Sequence, residues 1–196
     1  MVHRSQSVIE CFECGMVKRL CICSRKKLFD LPVRFSVIMP HSEWYRPTNT
    51  GRLVNLALKN SEIYIKGIKG KQLDFKAIIP EKHCNVILFP GGKAFDRDFI
   101  ENSSLPFHII VPDGSWKQAK RTVYRYKKFF SLPRISIQAP EASNYRMRRA
   151  QKGEYLSTAE AIAEVLGIAD YNEAKEHLLS LFREKIDLLL GQQGRM

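Results

Sequence analysis

Phe107-His108-Ile109-Ile110-Val111-Pro112-Asp113-Gly114-Ser115-Trp116-Lys117-Gln118-Ala119-Lys120-Arg121 is the most informative stretch of this chain. The apolar run from Phe107 to Val111 predicts a buried strand, and Pro112 stops it. An acid, a glycine and a serine follow, leading into a helix-forming stretch that opens on tryptophan and is studded with cations. An acid at the carboxyl end of a strand, feeding a helix N-terminus, stands where open α/β sheets bind their ligands. The same residues also fit plain helix capping, with Ser115 or Asp113 accepting the first unpaired N–H groups.

Outward from this stretch the same alternation repeats. Val33 to Met39 predicts a first strand, Glu62 to Ile65 a second, Asn85 to Phe89 a third closed by Pro90-Gly91-Gly92, and Arg134 to Ile137 a last one after Phe107–Val111. A helix carrying Leu53, Leu56, Ala57 and Asn60 follows Thr48-Asn49-Thr50-Gly51-Arg52. A second should run from Ser115 to Phe130. A third opens with the capping box Ser157-x-x-Glu160 and stops at Gly167, and an amphipathic helix fills Tyr171 to Leu190. Strands alternating with helices predict an α/β fold, a mostly parallel sheet with helices on both faces. No internal repeat is visible. We divide the chain into a small cysteine-bearing segment, 1–30, and a main domain, 31–196.

The charge balance narrows the partners. The chain has 32 Lys and Arg against 20 Asp and Glu, a formal charge of +12. The excess is localised: between Asp113 and Lys152 stand eleven cations and two acids, Asp113 and Glu141. A dense basic face is the electrostatic footprint of a phosphate-rich partner. No stretch approaches the roughly 18 apolar residues of a membrane span, and the first residues lack the apolar core of an export signal. The expectation is a cytoplasmic protein without a membrane partner.

Four of five cysteines fall close together, as Cys11-x-x-Cys14 and Cys21-x-Cys23. Two close pairs can surround one tetrahedral zinc with four thiolates. A cytoplasmic chain disfavours disulfides, and a site filled by four protein ligands would be structural rather than catalytic. Cys84, alone beside a strand, reads as a small core residue. His41, His83, His108 and His177 are scattered and read as packing or surface groups. Phosphate-loop, dinucleotide and nucleophile-elbow motifs are missing, so serine-triad hydrolysis is unsupported. Three segments should instead line one crevice at the sheet's carboxyl edge: Phe89–Gly92, Pro112–Trp116 and the stretch from Pro140 to Thr158.

Several of these motifs, in this order, resemble the DTW-domain proteins, a family that includes the bacterial tRNA-uridine aminocarboxypropyltransferases. The resemblance runs nearly end to end. It covers the cysteine cluster, Arg46-Pro47-Thr48-Asn49-Thr50-Gly51-Arg52, Leu88-Phe89-Pro90-Gly91-Gly92, Asp113-Gly114-Ser115-Trp116, Asn144-Tyr145-Arg146-Met147-Arg148-Arg149 and Leu156-Ser157-Thr158-Ala159-Glu160-Ala161. One position departs from the family pattern, Ser115 standing where threonine is usual; the hydroxyl is kept.

The resemblance implies a SPOUT-like fold with a knotted C-terminal region that binds S-adenosylmethionine. It implies transfer of that molecule's 3-amino-3-carboxypropyl group to N3 of a variable-loop uridine of tRNA, with release of methylthioadenosine. Uridine N3 carries a proton, so the reaction needs a base; Asp113 is the candidate, with Ser115 and Trp116 beside it. By the same resemblance Leu88, Phe89, Pro90, Gly91, Gly92, Pro140, Leu156, Ser157, Thr158 and Glu160 would contact the cofactor. Arg46, Thr48, Asn49, Thr50, Arg52, Lys117, Arg121, Tyr145, Arg146, Arg148 and Arg149 would hold RNA. Rival readings are a SPOUT-type RNA methyltransferase, an rRNA rather than tRNA substrate, and a non-catalytic zinc-containing RNA-binding module. The residues decide neither for a monomer nor for a homodimer.

Overall fold

The computed structural model describes residues 10–137 and 156–192. Strands β1 (Arg34–Pro40), β2 (Ser61–Lys66), β3 (Cys84–Ala94), β4 (Phe107–Pro112) and β5 (Arg134–Ser136) form one sheet in the order β2-β1-β4-β3-β5. Every neighbouring pair is parallel. Around them lie the helices α1 (His41–Trp44), α2 (Val54–Ala57), α3 (Phe75–Ile78), α4 (Arg97–Glu101), α5 (Trp116–Arg125), α6 (Lys127–Phe130), α7 (Thr158–Ile168) and α8 (Asn172–Gln192). The parallel α/β architecture expected from the alternation is present. A knot would depend on residues 138–155, which lie outside the described residues.

Side-chain alternation divides the core between the two faces of the sheet. Phe35, Val37, Val86, Ile109 and Val111 meet Leu56, Ile162, Val165, Leu178 and Leu181 on the face covered by α2, α7 and α8. Ile38, Ile87, Phe89 and Ile110 meet Ile78, Ala119, Val123 and Phe129 of α3, α5 and α6. Each buried aliphatic contributes roughly 1.5–3 kcal/mol, whereas an exposed ion pair contributes about 0–1 kcal/mol. The two faces, not the surface charges, therefore dominate stability. Cys14, Met16 and Ile22 are buried in the α7–α8 core, so the N-terminal segment packs into the main body.

Several elements depart from the sequence reading. Strand β3 does not close at Pro90-Gly91-Gly92: Leu88 and Lys93 both pair with Ile135, so the intervening residues bulge out and the strand resumes to Ala94. Gly92 makes this possible, because a Cβ there would lie 2.3 Å from the Arg134 carbonyl. The helix expected from Ser115 to Phe130 breaks at Tyr126, whose ψ of 111° leaves the helical region. The Tyr126 ring is drawn into a cluster with Phe75 at 5.7 Å and Phe129 at 5.6 Å. The helix after Thr50 is shorter than expected and excludes Asn60, since the Ser61 hydroxyl donates to the Leu58 carbonyl at 2.7 Å and starts β2. Gly167 does not end α7; Asp170 takes the left-handed conformation, φ 61°, and Tyr171 N–H bonds back to the Leu166 carbonyl at 2.8 Å.

A buried histidine ties three strands together. His108 is fully buried, with Nδ1 2.8 Å from Asn85 Oδ1 and Nε2 2.8 Å from Ser36 Oγ. Asn85 Nδ2 donates to the Pro80 and His83 carbonyls, so Oδ1 is the acceptor for Nδ1–H and Nε2 accepts the serine proton. Burial, with Arg34 and His83 adding to it, lowers this imidazole to about 3. The unfolded chain takes up this proton near pH 6.5, before the folded one does. The group's contribution is thus complete above pH 6.5 and is lost as pH falls toward 3. Replacing His108 with Gln should flatten that part of the stability-versus-pH curve, measured by urea unfolding at pH 7, 5.5 and 4. An unchanged slope would mean that the imidazole titrates normally.

Candidate active site and cysteine cluster

In the strand order, β1 connects outward to β2 while β4 connects the other way, past β3, to β5. The carboxyl ends of β1 and β4 therefore flank a topological switch point, the place where an open sheet leaves a crevice. Asp113 sits there. Its N–H continues the ladder to the Ile38 carbonyl at 3.0 Å, and it is only 2% exposed. Asn49 Nδ2 donates to its Oδ2 at 2.6 Å, and the Thr158 hydroxyl donates to its Oδ1. Asn49 comes from the segment after β1, and Thr158 from the first turn of α7. One carboxylate thus joins three separate parts of the chain, and both its oxygens accept hydrogen bonds.

The residues next to Asp113 divide between support and surface. Gly114 has φ 108°, a conformation that a glycine adopts without strain. Ser115 caps α5: its Oγ accepts from Gln118 N–H at 3.4 Å while Gln118 Oε1 accepts from Ser115 N–H at 2.6 Å. The capping alternative therefore holds for Ser115 and not for Asp113. Trp116 is 40% exposed and stacks on Phe89, centroids 4.9 Å apart and planes 8° from parallel. That stack joins the DGSW loop to the β3 bulge, of which Pro90 and Gly91 are exposed. Across the crevice, Ser157 and Glu160 form the expected capping box of α7, Ser157 N–H donating to Glu160 Oε2 at 2.8 Å. Thr50 Oγ1 accepts from Ala159 N–H at 3.4 Å. The three segments expected to converge at one rim do meet through Asp113–Thr158 and Phe89–Trp116. Pro140 lies outside the described residues. A separate cavity of about 660 Å³, lined by Lys93, Asp96, Phe99 and Phe107 among others, runs along α4 and does not include Asp113.

The cysteine sulfurs of Cys11, Cys14, Cys21 and Cys23 all lie within 4.8 Å of one another. Cys11 and Cys23 are 3.5 Å apart, and Cys14 and Cys21 3.8 Å. Zinc–thiolate bonds of about 2.3 Å put tetrahedral sulfurs roughly 3.8 Å apart, whereas a disulfide needs about 2.05 Å. The spacing fits a metal and not a crosslink. Burial pushes the Cys11 thiol up, but the backbone N–H of Cys14, the Cys21 thiol and their neighbours outweigh it and hold it at about 6. Burial and hydrogen bonding to Cys11 and Cys21 push Cys23 up. One ionised sulfur keeps protons on the next, a conflict that a divalent cation removes.

Two buried cations tie this cluster to the crevice. Arg52 donates through Nε to the Glu13 carbonyl at 3.1 Å, through Nη1 to Trp44 at 2.9 Å, and through Nη2 to the Cys11 and Phe12 carbonyls. Its guanidinium lies 4.0 Å from the Trp44 ring centroid. Arg52 is 2% exposed and Asn49 and Thr50 each 4%. The expectation that these three hold RNA gives way: Arg52 spends its donors on backbone carbonyls, Asn49 Nδ2 on Asp113, and Thr50 Oγ1 accepts from Ala159 N–H. Arg46 is exposed and pairs with buried Glu43 at 3.4 Å, and Thr48 is half-buried. Lys117 and Arg121 are exposed on α5. Tyr145, Arg146, Arg148 and Arg149 lie outside the described residues.

Lys185 is the residue that the sequence reading missed. Its fully buried Nζ donates to the Cys14 carbonyl at 2.8 Å and to the Asn49 carbonyl at 2.7 Å. The signal was present: Lys185 stands on the apolar stripe of α8, between Leu181 and Leu189. A cation there needs a buried partner. Burial lowers its ammonium to about 7, against the pull of Cys14 and Asp113.

Lys185→Met keeps the volume but leaves two buried carbonyls unpaired. Each such loss costs about 1–3 kcal/mol, so the variant should lose roughly 2–6 kcal/mol of unfolding free energy in urea. A loss below about 0.5 kcal/mol, the surface-substitution range, would show that neither carbonyl depends on it.

The chain matches the DTW domain family over residues 8–190. It is 29% identical over 186 residues to a Mus musculus protein named tRNA-uridine aminocarboxypropyltransferase 2, an alignment covering 91% of this chain and 62% of that protein. The Macaca fascicularis protein of the same name is 26% identical over 172 residues, covering 83% of this chain and 57% of its own length. The one from Drosophila melanogaster is 24% identical over 142 residues, covering 68% and 55%. This chain therefore spans little more than half the length of these relatives. No solved structure matches it. Because the match extends from before the first cysteine to near the end of α8, the chain belongs to the DTW domain family.

Proposed function

We propose that this chain is a tRNA-uridine aminocarboxypropyltransferase, which transfers the 3-amino-3-carboxypropyl group of S-adenosylmethionine to N3 of a uridine, with a variable-loop uridine as the expected target. The observation that carries this reading is the Asp113 carboxylate: it is buried at the switch point and held by Asn49 and Thr158, in a chain of a family whose curated members bear that activity in their names.

Bound S-adenosylmethionine supplies a sulfonium whose propyl carbon is electrophilic. The protein's task is to remove a proton and to orient. Asp113 takes the proton from uridine N3, and its two hydrogen bonds keep the acceptor pointing into the crevice. The N3–carbon bond forms as the carbon–sulfur bond breaks, and the sulfur keeps that electron pair and leaves as methylthioadenosine. Exposed backbone at Pro90 and Gly91, with Gly92, Leu88 and Phe89 beside it and Leu156 to Thr158 opposite, would cradle the donor. Ser115 contributes as the α5 cap, and Trp116 as a wall against Phe89. Lys117, Arg121 and Arg46, with Tyr145, Arg146, Arg148 and Arg149, would meet RNA. Cys11, Cys14, Cys21 and Cys23 would hold one structural zinc. A SPOUT-like knot would close the pocket. No described helix is long and apolar enough to cross a membrane, and a cytoplasmic location is part of the proposal.

The test is mass spectrometry of tRNA nucleosides and co-products after incubation with the protein and S-adenosylmethionine. The expected products are aminocarboxypropyluridine and methylthioadenosine. Loss of a general base typically costs 10²–10⁴-fold, so Asp113→Asn should slow transfer by roughly that factor. Methylated uridine with adenosylhomocysteine would replace this reading by a methyltransferase, and an rRNA product would move the substrate. Metal analysis should return one zinc per chain, lost in Cys21→Ser/Cys23→Ser; a metal-free wild-type chain would remove the zinc.

A further inference from the structure

The outer face of α5 carries features that the transfer reaction does not explain. Tyr124 and Phe130 are 46% and 52% exposed, large rings for a surface otherwise rich in charge. Their centroids are 5.9 Å apart. The Arg134 guanidinium lies 5.6 Å from the Tyr124 ring and 6.0 Å from Phe130, and its Nη1 donates to the Tyr124 hydroxyl at 2.9 Å. Lys120 Nζ lies 6.0 Å from Tyr124 on the same helix. The Tyr124 ring is in turn 6.3 Å from Phe89, which stacks on Trp116. An aromatic path thus runs from the loop of Asp113 along α5 to β5.

The cations on this path have no carboxylate partner among the described residues. Among the described residues nine ion pairs are formed, and none uses a cation between Lys117 and Arg134. Their field reaches the sheet edge, where burial together with Arg125 and Arg121 holds Lys66 below the ordinary lysine range. A face that leaves cations without carboxylates beside exposed rings is complementary to an unpaired nucleic-acid strand. Phosphates meet the cations, and bases, which all have a π-face, stack on the rings. A duplex hides those faces. A second copy of this chain would bring two such positive surfaces together.

We propose that Tyr124, Phe130, Lys120 and Arg134 form a stacking platform for unpaired nucleotides that flank the modified uridine. The proposal rests on the RNA-substrate reading and adds the place and the strandedness of the contact. From Trp116 to Tyr124 is eight residues, about 12 Å along a helix axis, room for more than one base stacked at about 3.4 Å. The platform holds the strand that leads to the crevice, and Asp113 acts on the one nucleotide that enters it.

The experiment uses the full chain, a fluorescent single-stranded oligouridylate and a duplex RNA of equal length, with binding followed by anisotropy across a salt series. Removing a stacking ring typically weakens binding about 5–150-fold per base. Tyr124→Ala/Phe130→Ala should therefore bind the single strand at least roughly tenfold more weakly, with duplex binding and salt slope unchanged and the thermal midpoint near wild type. Tyr124→Phe, which keeps the ring, should bind normally. A variant-free measurement, photocrosslinking of bromouridine-containing strands to the wild-type chain, should mark peptides containing Tyr124 or Phe130. Unchanged affinity, equal loss for duplex, crosslinks confined to other segments, or dimerisation abolished by the double variant would each overturn the platform. The two readings separate cleanly. Binding through these rings without tRNA modification would leave the platform and sink the transferase; transfer with an unaltered KM for tRNA in the double variant would do the reverse.

Discussion

A buried carboxylate holds this site together. Asp113 is only 2% exposed, and the water lost from its polar oxygens needs compensation. The compensation comes from Asn49 and Thr158, residues remote in sequence and delivered by different elements. Each supplies one hydrogen bond to the carboxyl group. The acid proposed as the base is therefore also what draws the segment after β1 and the start of α7 onto the end of β4. Site and rim depend on the same group.

The cysteine cluster extends this dependence to the N-terminus. Its carbonyls, rather than its sulfurs, make the connection: Arg52 gathers those of Cys11, Phe12 and Glu13, and Lys185 links that of Cys14 to that of Asn49. Because Asn49 also holds Asp113, the path from cluster to acid passes through a single residue. A metal in the cluster would fix the knuckle geometry that Arg52 and Lys185 read. The charges of both side chains are buried and matched to backbone dipoles rather than to acids.

The sheet was legible in the sequence because parallel strands covered on both faces are apolar throughout; Phe107–Val111 and Asn85–Phe89 could hardly be anything else. The convergence of the Asp113, Phe89 and Thr158 segments was legible for the same topological reason. What escaped was set by contacts across the fold. The β3 bulge depends on how closely Gly92 passes Arg134, and the break at Tyr126 on an aromatic cluster with Phe75, a residue far away in sequence. The resemblance put Arg52 among the RNA-holding cations because sequence shows charge but not direction, and only the tertiary structure turns it inward. Lys185 was the more readable omission, a charge in a stripe of leucines.

If Asp113 binds three segments into one rim, amide hydrogen exchange of Asp113→Ala against wild type reads the loss of that tie at each segment separately. Exchange should accelerate together at Asn49–Thr50 and at Ala159–Glu160, while the amides of Ile109 and Ile110 within β4 keep their protection. Protection unchanged at both rim segments would show that they are held independently of the carboxylate, which would then not be the tie.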